Sequence, residues 1–127
     1  MSNTKYIHEL HNDHINWKKN LAFAADEIKS FENRLSEVVM ANSKTDITAK
    51  AEHFQNAFIR HNEVIDELNH DIDADEKRIS AEAEANNVAT DHRRTEDNAS
   101  LRERMASFDK IFAELKTEFN GYLGDVL

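Results

Sequence analysis

Residues 7–38 read IHELHNDHINWKKNLAFAADEIKSFENRLSEV. Within them Ile7, Leu10, His14, Trp17, Leu21, Ala24, Ile28, Phe31, Leu35 and Val38 recur at alternating steps of three and four. That spacing is one face of a helix packed against other helices. The pattern returns twice. It runs through Ile47, Ala51, Phe54, Phe58, His61, Ile65, Leu68, Ile72, Asp75 and Ile79, and again through Leu101, Met105, Phe108, Phe112, Leu115, Phe119, Tyr122 and Val126. Three stripes of this kind predict an all-α fold, an elongated antiparallel three-helix bundle that takes up residues 1–127 as one domain.

Composition points the same way. The 127 residues include 2 glycines and 0 prolines, and Gly121 and Gly124 both fall near the C-terminus. Turn-rich folds need these residues and helix interiors exclude them. A charged fraction of 32% fits slender helices that each bury a single stripe.

Boundaries follow from capping residues. Ser2, Asn3 and Thr4 precede the first stripe, which predicts a helix over about residues 4–40. Ser43 with Asp46 forms a loose capping box for a second helix over about 46–85. The stripe changes register after Asn86-Asn87, so a turn there is expected, followed by a third helix over about 91–123 whose end the two glycines fray.

Short connections make successive helices antiparallel neighbours. Layers can then be written down. Across the first turn Val38 faces Ile47, Phe31 faces Phe54, Ile28 faces Phe58 and Leu21 faces Ile65. Across the second, Phe54 faces Tyr122, Phe58 faces Phe119, Ile65 faces Phe112 and Leu68 faces Phe108. Trp17, Leu68 and Phe108 share a layer that is expected to be the most heavily buried. The second and third helices are expected to project past the first through Ser80–Asp97 as a polar tip, held by Glu82 and Arg94.

Trp17 in the first helix, Arg60-His61 followed by Leu68 in the second, and Leu101, Met105, Phe108, Phe112 and Leu115 in the third together resemble a spectrin repeat. The resemblance implies the same three-helix architecture by analogy. The long polar tip departs from it.

Several functions are disfavoured. A formal net charge of -9 opposes binding to nucleic acid or to an anionic membrane surface. With 0 cysteines there are no disulfides, thiolate metal sites or cysteine nucleophiles. No apolar run approaches the roughly twenty residues of a membrane span. A cytoplasmic location is the expectation. No glycine-rich phosphate loop or nucleophile–base arrangement is visible, so no enzyme activity and no cofactor are expected.

Polar residues within the stripes are the candidate sites. His61 shares a layer with Ala24 and Leu115 and is expected to be a hydrogen-bonded core histidine. His14 lies beside Ile72 and Met105, one layer from Asp75. Asp75 is expected to accept a hydrogen bond from His14, with Arg102 or Arg104 adding charge compensation. The alternative for this end of the bundle is a metal site built from His11, His14 and Asp75. The Glu67-x-x-His70 motif of helical di-iron proteins occurs once, but Leu68 takes the inward position there.

If the core is filled, function falls to a face or a seam. Ile15, Ala22 and Phe23 on helix 1, Ile59 and Val64 on helix 2, and Ile111 on helix 3 lie off the stripes. Ile15, Phe23 and Ile59 are the expected partner-binding residues, through protein–protein interaction or a homodimer. The acidic run from Asp66 to Glu76 is expected to be a solvated face rather than a nucleic-acid mimic.

Overall fold

The computed structural model describes the backbone of residues 2–85 and 88–127, and the side chains of residues 7–81, 84 and 98–127. The chain is all-α: helix α1 spans Ser2–Ala41, α2 Thr45–Ala85 and α3 Val88–Val126. At 1.5 Å per residue each is about 60 Å long. The expected Glu82–Arg94 contact at the tip lies outside the described residues.

The helix order is antiparallel across each turn. Phe31 meets Phe58, and His14 meets Asp75; Phe54 meets Tyr122, and Arg104 meets Asp71. The first and third helices consequently run parallel. Asp13 bonds Arg102, Asn20 bonds Asp109 and Glu27 bonds Lys116, each pair 89 residues apart. That constant offset is the signature of two helices in fixed register along most of their length.

The core is one cluster drawn from all three stripes. Phe58 and Phe119, both fully buried, pack edge to face at 5.1 Å between ring centroids, with Leu21 and Ile28 also fully buried. Each such side chain contributes roughly 1.5–3 kcal/mol by leaving water. The α2–α3 layers at Phe54–Tyr122 and Phe58–Phe119 are those the sequence predicts.

Four expectations are corrected. First, the α1–α2 contacts lie further along both helices. Phe31 meets Phe58 rather than Phe54, while His14 reaches Asp75 as expected. Helical side chains lean toward their own N-terminus. In an antiparallel pair the tips that meet therefore belong to residues beyond those whose Cα atoms are level. Second, Trp17 is only partly buried and packs against the core, while Phe58 and Phe119 lead the buried set. An indole is seldom enclosed completely, because of its size. Third, α3 continues through Gly121 and Gly124 to Val126. The intact i to i−4 ladder, which Leu127 extends by donating to the Leu123 carbonyl at 2.9 Å, overrides the weak propensity of two glycines. Fourth, the first turn is tighter than a Ser43 cap implies. Thr48 donates to the Lys44 carbonyl at 3.1 Å, which makes Lys44 the capping position. The Asn42 side chain closes α1 by donating to the Val38 carbonyl at 2.8 Å.

Among the described residues no helix is long and apolar enough to cross a membrane.

Candidate functional site

Three features stand apart from the apolar core. The first is a charged clamp between α1 and α2. His14 and Asp75 occupy stripe positions, so packing of the stripe carries both inside; they are 2% and 1% exposed. His14 Nε2 lies 3.1 Å from Asp75 Oδ2, and Nδ1 lies 2.7 Å from Glu76 Oε1. The other Glu76 oxygen lies 2.7 Å from His11 Nδ1. One helix thus supplies two imidazoles at i and i+3, and the other supplies two adjacent carboxylates.

Burial alone lowers the pKa of His14, but hydrogen bonds to Asp75 and Glu76 and the charge of both outweigh it and hold the value above 6.5. Burial raises Glu76, and its bonds to His14 and His11 outweigh that and hold it below 4.5. Both carboxylates thus favour the imidazolium over the neutral ring. Nδ1 is hydrogen-bonded to Glu76 and Nε2 stands at ion-pair distance from Asp75, so the one imidazole ties α1 to both carboxylates of α2.

The sequence placed His14 and Asp75 together correctly, but not the rest of the cluster. Arg102 bonds Asp13 at 2.7 Å and Arg104 bonds Asp71 at 2.8 Å, so neither reaches Asp75. Arg78, one turn along the same helix, lies 3.7 Å from it instead. Glu76 was missed because it sits off the stripe; its signal was that His11 and His14 share a face that one neighbouring acid can span. His11, His14 and Asp75 do gather at this end, with Glu76 between the imidazoles. Among the described residues no group of three or more histidines and acids is arranged to hold a metal ion.

The second feature is a groove of about 500 Å³ between α2 and α3. Val64, Leu68, Phe108 and Ile111 supply its apolar wall, and Arg60, Glu67, Glu103 and Arg104 add charge of both signs. His61 lies beside it, with its ring 5.9 Å from those of both Phe108 and Phe112. Its Nδ1 donates to the Ala57 carbonyl at 2.9 Å, so it is hydrogen-bonded as expected, but it is half-buried at the groove rather than enclosed in the core. It packs with two phenylalanines of α3. Val64 and Ile111, which the sequence marked only as off-stripe apolar residues, both line this groove.

The third feature is the outward face of α1. Phe23 is 70% exposed and Ile15 40%; on α2, Ile59 is 50% exposed. All three expected partner-binding residues therefore face solvent.

No protein-family model, curated protein or solved structure matches this chain. The likeness to a spectrin repeat rests on architecture alone.

Proposed function

We propose that this protein is a non-enzymatic helical interaction module that binds a protein partner or a second copy of itself. One observation carries the reading. The three stripes fill the core, yet Phe23 stays 70% exposed midway along a 40-residue helix. A large aromatic side chain at such a place is the kind of anchor that helix-to-helix recognition uses. Ile15 and Ile59 add apolar surface, and the α2–α3 groove adds a second uncovered apolar feature. A net charge of -9 argues against nucleic acid as the partner. The absence of cysteine fits the reducing cytoplasm.

The reading is tested with wild-type protein, Phe23→Glu and Ile59→Glu compared by sedimentation and by capture on immobilised protein, with thermal melts to confirm folding. Concentration-dependent association, or a stoichiometric partner, lost in the variants supports it. A monomer that retains nothing, or binding that neither variant disturbs, refutes it.

A further inference from the structure

We infer that the outward face of α1 pairs antiparallel with the same face of a second copy, in a two-fold dimer whose axis passes between Ala22 and Phe23. This rests on the interaction-module reading and names its partner. The observation behind it is the pattern of polar groups along the outward face of α1. At the sides of the helix Lys18 pairs with Asp73, Glu27 with Lys116 and Asn20 with Asp109 within the protomer. Along the outward face four groups are left for a partner. His8, Lys19, Asp26 and Glu37 are exposed, and among the described residues they make no hydrogen bond or ion pair within the protomer.

An antiparallel pair about that axis sets Lys19 opposite Asp26 and His8 opposite Glu37, each twice by symmetry. At the centre the small side chain of Ala22 leaves room for Phe23. In this arrangement the face is self-complementary on both sides of the axis. Parallel pairing stacks Lys19 on Lys19 and Asp26 on Asp26. Sliding the antiparallel pair by one heptad brings Lys19 onto its own copy in one direction and Asp26 onto its own copy in the other. Like charges set opposite one another select against these alternatives. From His8 to Glu37 the seam is about 45 Å long at 1.5 Å per residue. A single helix-pair seam is a small interface, so the dimer dissociates at roughly micromolar concentrations.

The test is sedimentation equilibrium of the full chain from low micromolar to near-millimolar protein. Wild type is expected to form a dimer that high salt weakens. Lys19→Asp and Asp26→Lys each loosen it by about tenfold or more, and the two combined restore it, because the swapped charges again face one another. Phe23→Glu abolishes it. Thermal melts of all variants stay close to wild type, since every altered side chain is exposed. A strict monomer overturns the proposal, and the interaction-module reading then stands or falls on whether Phe23→Glu or Ile59→Glu loses a captured partner. A dimer indifferent to the charge swaps and to Phe23→Glu, but lost in Ile111→Glu, also overturns it; self-association then belongs to the α2–α3 groove and the broader reading survives.

Discussion

Replacing His14 with leucine takes a close counter-charge from a carboxylate in the bundle interior, and the cost follows from the clamp's geometry. Asp75 is 1% exposed and loses the imidazolium 3.1 Å away. Removing one partner of a buried ion pair costs about 3–5 kcal/mol, because the remaining charge cannot regain from water the compensation it loses. Arg78 at 3.7 Å gives some relief, so the lower end, about 3 kcal/mol, is expected. Asp75→Leu costs less, about 1.5–3 kcal/mol, since His14 keeps its bond to Glu76. The double variant His14→Leu/Asp75→Leu recovers most of the loss, because an apolar pair in that space carries no desolvation cost. Urea unfolding of the four proteins near pH 6 gives the coupling directly.

The same clamp sets a pH window. His14 has a folded pKa above its 6.5 reference, so its contribution is complete below about 6.5 and is lost as pH rises through the raised value. Glu76 has a folded pKa below 4.5, so its contribution is present above about 4.5 and is lost as pH falls through the lowered value. Wild-type stability should decline on the alkaline side of this window, and the double variant should lack the decline that belongs to His14. If His14→Leu unfolds at the wild-type urea midpoint, or if wild type and double variant share one pH profile above pH 6.5, the clamp is not holding α1 to α2 and the reasoning fails.

Two further outcomes follow from burial and backbone. Phe58→Ala should cost about 3–5 kcal/mol and Trp17→Ala less, reversing the order the sequence implies, since Phe58 is fully enclosed and Trp17 is not; equal urea midpoints for the two variants would contradict this. Gly121→Ala should stabilise α3 by about 0.5–1 kcal/mol, because a Cβ there meets nothing within 4 Å and the residue is helical. A lower melting temperature for that variant would show that the last turns of α3 need the glycine.

Much of the fold is legible in the stripe. Leu10, Leu21 and Ile28 on α1 and Phe54, Phe58 and Ile72 on α2 are buried where their spacing puts them. The α2–α3 layer of Phe58 with Phe119 could be written down from residue numbers alone. Of the site, the sequence supplied His14 with Asp75, because both are polar at positions that must turn inward. It also marked Phe23, Ile15 and Ile59 as lying off the stripe, and all three are exposed.

Helical periodicity is a one-dimensional signal. It fixes which face of each rod is buried and therefore determined three helices, their order and their core. It does not fix how far the side chains lean along one rod before meeting the next, nor which off-stripe groups close across a seam. Only packing decided that Glu76 bridges His11 and His14, that Arg102 goes to Asp13, and that Val64 and Ile111 line one groove. Those contacts depend on offsets of a single helical turn between neighbouring rods, and a repeating stripe reads nearly the same one turn away.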